Sequence, residues 1–507
     1  MFSPSSPFIT GIRAPSSILY NDFAEKSIKR SEIKMTVGRW LAAHSLSRTA
    51  IHYQLFKPLK SSVRAFHSSF CILLLSSLFS LDFKVTVWYN SSYFITPAQG
   101  LTHAGRSESI MLILVVNAGS SSLKYQLLNM EDESVICKGN CDRIGIDGHI
   151  SHKGDGVALE QDVSFPTHTE AFEKLVEVLT TGDTKVIDSL SEIGAIGNRI
   201  VQGADVFSKT EIVTEEVIDK IEALAELAPV HNHGAALALR ACKSVMPDVP
   251  MTVVFDTAFH ATMPPKAYMF GFPYEDYKEL HVRKYGFHGT SHRFVSSAVA
   301  KAMGRDVKDL RIVTCHMGNG SSIAAVDHGK VVDTTMGFTP LDGLLMGTRC
   351  GAVDASAVTY IMDKRGLSPK EMADYMNKKS GLLGISGISS DNRDVSAAAR
   401  EGNERAKLAN EMLQYQTKKY IGAFMAAMNG ADAIVFTGGI GENDSPTREG
   451  ACRDMDALGI KLDNELNATI RGKLAKISAP DSKVEVWVVP TNEELLIARD
   501  TLALVNG

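Results

Sequence analysis

Met111-Leu-Ile-Leu-Val-Val-Asn-Ala-Gly-Ser-Ser-Ser-Leu-Lys-Tyr-Gln-Leu-Leu128 reads as an apolar strand, a small polar turn and a returning strand. The unbroken run Leu112–Val116 suits a strand buried on both faces, and Asn117–Ser122 supplies only turn-forming residues. The same plan recurs later, where Leu310-Arg-Ile-Val-Thr-Cys315 runs into His316-Met-Gly-Asn-Gly-Ser-Ser322 and returns as Ile323-Ala-Ala-Val326. Two like hairpins in one chain imply two like half-molecules. Between and after them come helical patterns. Thr214–Ala228 carries Val217, Ile218, Ile221, Leu224 and Ala225 on one face, acids in its first turn and Pro229 beyond. A long pattern from Glu404 to Asn429 closes at Gly430 and feeds the buried strand Ala433-Ile-Val-Phe-Thr437. Strands alternating with helices, plus hairpins, make a mixed α/β protein whose halves pack closely about a cleft.

The chain has 507 residues, 44% apolar and 22% charged, which is ordinary globular composition and length enough for two or more domains. Residues 1–110 hold 12 Lys/Arg against 5 Asp/Glu, leaving 41 against 53 for the rest, so a boundary falls near residue 110. This first segment is rich in Ser and Phe. Its one apolar run, Phe70–Leu81, is shorter than the ~20 residues a membrane-spanning helix needs. It also lies too far along the chain for a secretory signal core. Two readings stand: an organelle-targeting segment, or upstream sequence translated ahead of a true start at Met111. The crisp onset of pattern at Met111 favours the second. Either way the segment is expected to be non-catalytic and disordered. Seven scattered cysteines, with Cys137 and Cys141 the nearest to a pair, argue for reduced thiols and against a disulfide framework or a zinc site. Residues 111–507 are net acidic and show no basic stripe with aromatic interleaving, which gives nucleic-acid binding little support.

Three glycine-rich segments stand at strand ends: Asn117–Lys124, His316–Ser322 and Thr437-Gly-Gly-Ile-Gly-Glu-Asn443. Glycine lets backbone N–H groups close around an anionic phosphate. With no Gly-x-x-x-x-Gly-Lys-[Ser/Thr] and no strand-borne Gly-x-Gly-x-x-Gly, they point to a nucleotide site that is neither P-loop nor Rossmann. Asn117-Ala-Gly-Ser-Ser-Ser-Leu-Lys124, Tyr285-Gly-Phe-His-Gly-Thr-Ser-His292, Met346-Gly-Thr-Arg349, Ser390-Asp-Asn-Arg-Asp394, Gly438–Asn443 and Pro490-Thr-Asn-Glu-Glu-Leu495 closely resemble, in the same order, the motifs of the acetate kinases. The resemblance covers 111–507 and none of 1–110. It implies two duplicated ribonuclease-H-like α/β domains, the actin-like ATPase fold, around a central cleft. The first domain would comprise 111–256 plus about 494–507 and the second 257–493. It also implies a homodimer, a cytoplasmic location without membrane or nucleic-acid partners, and reversible transfer of the ATP γ-phosphoryl group to acetate.

Transfer between two anions passes through a loose, charge-spread transition state, so the site must supply cations and in-line positioning. By resemblance Arg199 and Arg349 clamp acetate and the transferring group, His288 hydrogen-bonds it in flight, and Asp256, at the end of Met251–Phe255, is the active-site aspartate. Val201, Val230, His231, Phe287 and Pro340 would line the acyl pocket. Asn117 and Glu493 would anchor Mg²⁺, with Mn²⁺ an alternative, and Lys124 would reach phosphate. His316, Met317, Gly318, Asn319 and Gly320 would contact phosphates, while Asp391, Asn392, Arg393, Gly439, Ile440, Gly441, Glu442 and Asn443 would hold the adenosine end. Asn198, Gln202, His233, Cys350 and Ala352 depart from the usual pattern, and Val230 is smaller than the leucine common there. These departures bear on pocket shape, not reaction class. A propionate or butyrate kinase is the near rival, and an ATP-operated binding module the rival of another class.

Overall fold

The computed structural model describes residues 112–507 apart from Asp155, Pro229 and Val230. Expectations about residues 1–110 and Val230 therefore lie outside the described residues. Among the described residues fourteen strands form two sheets. The first contains β1 (Leu112–Ala118), β2 (Ser122–Asn129), β3 (Ser134–Asp142), β4 (His149–Gly154), β5 (Val157–Asp162), β6 (Ile193–Ile200), β7 (Glu211–Ile212) and β8 (Met251–Phe255). The second contains β9 (Arg311–Met317), β10 (Ser321–Asp327), β11 (Lys330–Thr334), β12 (Ala433–Thr437), β13 (Ala475–Lys476) and β14 (Glu485–Val488).

The sheet orders are β5-β4-β3-β2-β1-β6-β8-β7 and β11-β10-β9-β12-β14-β13. A run of antiparallel strands, β5 to β1 in the first sheet and β11 to β9 in the second, is followed in each by two strands parallel to β1 or β9, and a two-residue strand closes the edge antiparallel. The second sheet thus repeats six strands of the first, which is the duplication the paired hairpins foretold. The parallel strands β8 and β12 are buried on both faces, with every residue buried, and this accounts for their largely apolar runs.

Local chemistry fixes the helices that matter to the site. Helix His168–Thr180 begins with a Thr167/Glu170 capping box, and its His168 Nε2 lies 2.8 Å from the Gly119 carbonyl, which pins the first turn. Helix Asn232–Val245 approaches that turn so closely that a Cβ on Gly234 would lie 3.1 Å from Ser120 Cα. The last helix, Glu493–Asn506, packs on β1, β6 and β8, with Thr501 Oγ1 2.7 Å from Thr252 Oγ1 and Arg499 paired to Glu133. The chain therefore ends on its first sheet and brings Glu493 to the tip of β6. Among the described residues no helix is long and apolar enough to cross a membrane.

Candidate active site

Arg199 is the hub. It stands near the end of β6, and the neighbouring parallel strand β8 leads directly into Asp256. Arg199 Nε donates to Asp256 Oδ1 at 3.1 Å and Nη2 to Oδ2 at 2.5 Å, a two-point grip that fixes the guanidinium plane. Its Nη1 donates to Asn117 Oδ1 at 3.3 Å, and Glu493 Oε2 is 4.0 Å from Nε. Burial opposes the charge on Arg199, but Asp256 and Glu493 more than offset it and push the guanidinium further up. The reciprocal effect differs at Glu493. Burial, with Asp256 and Glu494 adding to it and Arg199 opposing, raises its carboxyl to about 7.

Asp256 is almost fully buried and held from both sides, its N–H donating to Ile200 O and its carbonyl accepting from Gly289 N–H at 2.9 Å. A Cβ on Gly289 would lie 2.2 Å from that carbonyl, so only glycine permits the approach. Helix Gly289–Ala302 starts there, and its N-cap, His288, sits in the left-handed region at φ 57°. His288 and His316 stack with centroids 4.3 Å apart. A Cβ on Gly320 would lie 3.5 Å from both His288 Nε2 and Arg349 Nη1, so histidine and second arginine face a common space. Arg349 is held by Nη1 donation to Pro340 O at 3.1 Å, and burial lowers its pKa. Burial also lowers the pKa of His231, as do the charges of Arg199 and Arg349. That histidine lies within the field of both arginines.

Val201 and Phe287 come together in one apolar cluster with Ala204, Tyr285, Met336 and Met346 beside this space. The nucleotide-side residues converge on a pocket of about 630 Å³ lined by Gly318, Asn319, Asp391, Asn392, Arg393, Gly439, Ile440 and Asn443, with Ser390 and Asp444. Asn392 Oδ1 is buried in this lining and, among the described residues, has no hydrogen-bond partner, which leaves it free to accept from a ligand. Close packing shapes the pocket, since a Cβ on Gly347 would fall 1.8 Å from Asn319 Oδ1.

Four expected residues sit elsewhere. Met317 is fully buried in the apolar core. Gly441 gives its carbonyl to Arg448. Glu442 accepts from the Gly438 and Thr491 N–H groups at 2.9 and 3.1 Å, which makes it a strut between this loop and the segment carrying Glu493. Lys124 lies opposite Asn117 in the β1–β2 ladder, exposed at a separate pocket shared with Asn117 and Glu494.

Sequence reasoning overlooked Arg448. It is fully buried and, among the described residues, pairs with no carboxylate; it donates instead to Asn467 Oδ1 at 2.7 Å and to the carbonyls of Gly441, Asn467 and Ile470 at 2.9–3.0 Å. Arg448→Ala would strand those acceptors, so we expect a loss of about 3–5 kcal/mol in denaturant unfolding and a raised KM for the nucleotide. An unchanged midpoint would contradict this role.

Residues 112–499 match the sequence model of the Acetokinase family. Acetate kinase 2 of Clostridium perfringens is 51% identical over 398 residues, which covers 78% of this chain and 100% of that protein. Among solved structures, Porphyromonas gingivalis acetate kinase superposes with a TM-score of 0.76 at 44% identity, covering 78% of this chain and 100% of that one. A propionate kinase from Francisella tularensis subsp. tularensis SCHU S4 superposes at 0.73 with 38% identity, covering 78% and 99%.

Proposed function

The chain belongs to the acetokinase family, and from that premise we propose how this cleft transfers a phosphoryl group between ATP and the carboxylate of acetate. The observation that carries the reading is the meeting of two half-buried arginines and His288 between an apolar cluster and a nucleotide-sized pocket. Adenosine occupies the pocket lined by Asp391–Arg393, Gly439, Ile440 and Asn443, and the phosphates run along His316, Gly318 and Asn319 toward Gly320. Acetate's methyl rests on Val201 and Phe287, with His231 and Pro340 completing the wall. Its carboxylate lies against Arg199, whose plane Asp256 fixes. Arg349 and His288 face the group in flight from the other side. Two anions are thereby held in line without a covalent enzyme intermediate.

Magnesium fits the remaining donors. Asn117 and Glu493 offer hard oxygens, and burial, with Asp256 and Glu494 adding to it and Arg199 opposing, raises the Glu493 carboxyl, a cost of ionisation that a bound cation would offset. Among the described residues no set of three or more His, Cys, Asp or Glu forms a metal cage, which agrees with an ion bound through few side chains plus phosphates and water. When bound, the ion neutralises charge on the β- and γ-phosphates, and Mn²⁺ would serve the same donors.

Because folding raises the Glu493 pKa from 4.5 to about 7, its contribution to stability is full below pH 4.5 and is lost as pH rises through 7. In metal-free protein, Glu493→Gln is therefore expected to gain on the order of 2 kcal/mol relative to wild type at pH 8 compared with pH 5, read from paired unfolding curves. A gap independent of pH would contradict it.

We read 111–256 with 494–507 and 257–493 as the two lobes, residues 1–110 as dispensable for catalysis, and the chain as a cytoplasmic homodimer. Hydroxylamine trapping of acyl phosphate, with acetate, propionate and butyrate offered in parallel, tests the function. Acetate should give the highest kcat/KM, with one methylene worth ~1–3 kcal/mol. Preference for propionate would reassign the substrate, and ATP binding without product from any acid would favour a nucleotide-operated switch.

A further inference from the structure

His288 does not end at the cleft. Its Nδ1 lies 2.8 Å from Ser322 Oγ, the same hydroxyl lies 2.7 Å from His292 Nε2, and His292 Nδ1 lies 2.7 Å from Thr314 Oγ1. Ser322, His292 and Thr314 are all fully buried, so water cannot supply or remove protons along this line. Each hydroxyl has one proton to give, which leaves the chain only two self-consistent directions with neutral rings. If protons run outward from Thr314, the Thr314 hydroxyl donates to His292 Nδ1, His292 Nε2–H to Ser322 and Ser322 to His288 Nδ1. His288 then carries its proton on Nε2, the nitrogen that faces Gly320 and Arg349. If they run inward, the Thr314 proton is left with the Ala324 carbonyl at 3.4 Å, and His288 presents a bare lone pair to the space a phosphoryl oxygen would enter.

We propose that the Thr314–His292–Ser322 chain sets His288 as a neutral imidazole with its proton on Nε2, so that it donates to the phosphoryl oxygen without carrying charge. The inference rests on the role given to His288 above. An anionic oxygen at Nε2 selects the outward direction, since the inward one sets a lone pair against it. Neutrality suits the surroundings: burial holds both imidazoles well below the usual histidine range. The neighbours His316, Arg199 and Arg349 at His288, and His260 and His316 at His292, act in the same sense. Ser322, His292 and Thr314 are positioning residues, and they act on the reaction only through the tautomer and orientation of His288.

A double-mutant cycle on the full chain tests this. Ser322→Ala should lower kcat by about 10- to 100-fold with little change in the KM of ATP. In a His288→Ala background the same change should cost about twofold or less. Equal losses in both backgrounds would overturn the relay, because Ser322 would then act elsewhere. If His288→Ala keeps the wild-type rate, the underlying reading of His288 fails and the proposal with it, a result separable from the first by the single variant alone. Should Ser322→Ala not fold, ¹⁵N-histidine spectra of the unsubstituted chain with Mg²⁺, acetate and a non-hydrolysable ATP analogue decide. The His288 resonances, identified by their loss in His288→Ala, should report protonated Nε2 and unprotonated Nδ1. The opposite pattern, or both nitrogens protonated, overturns the proposal.

Discussion

Replacing Arg349 with alanine is expected to lower kcat/KM for acetate phosphorylation by about 10³- to 10⁵-fold, the range for an arginine that meets transition-state charge in phosphoryl transfer. The guanidinium is pinned by the Pro340 carbonyl and shares the space beyond Gly320 with His288 Nε2. It is thus preorganised where charge spreads over the transferring group. Because the adenosine pocket is lined by different residues, the KM for ATP should change little. Arg349→Lys retains the charge without the planar fork and should recover only a small part of the rate. Steady-state kinetics on both variants check this, and a loss below tenfold for alanine would remove Arg349 from the reaction.

Asp256→Ala carries the second large effect. It deletes both hydrogen bonds that orient Arg199 and leaves Asn117 and the more distant Glu493 as its remaining partners. We expect kcat to fall by about 10²- to 10³-fold, comparable to losing one preorganised donor in an oxyanion-type site. The substitution also removes a negative neighbour of Glu493, so the Glu493 carboxyl should titrate lower than about 7. A kcat loss without that shift would place Asp256 directly on substrate rather than behind Arg199. The pH dependence of the residual rate, compared with that of Asp256→Asn, separates the two.

Much of the architecture was legible because burial on both faces leaves a compositional mark. β1, β8 and β12 are built on the apolar stretches Leu112–Val116, Met251–Phe255, interrupted only by Thr252, and Ala433–Phe436, and the turns between paired strands are spelled in Gly, Ser and Asn. Helix ends were less so. The pattern over Thr214–Ala228 resolves into an α-helix Glu215–Ala223, capped by Thr214, and a tight turn Leu224–Glu226, because a helix commonly narrows to 3₁₀ geometry in its last turn. The long pattern closing at Gly430 ends as a helix at Ala427, with Asn429 and Gly430 both at positive φ.

For the candidate site, motifs located the chemistry but not the support. Glu442 sits in a glycine-rich nucleotide motif, yet its carboxylate is spent on backbone N–H groups of two segments. Arg448 reads as a surface charge in the short helix Ser445–Cys452, and nothing local announces that four acceptors close around it. The Thr314–His292–Ser322 line joins two strands and a helix, a relation that exists only once β10 pairs with β9 and helix Gly289–Ala302 packs on β9.

The measurement that tests the central claim most directly is the configuration at phosphorus when ATP made chiral at the γ-position by oxygen isotopes is turned over with acetate. Direct in-line transfer between substrates held by Arg199 and Arg349 predicts inversion. Retention would mean two successive displacements, with a phosphorylated side chain such as the Asp256 carboxylate between them, and would contradict the account.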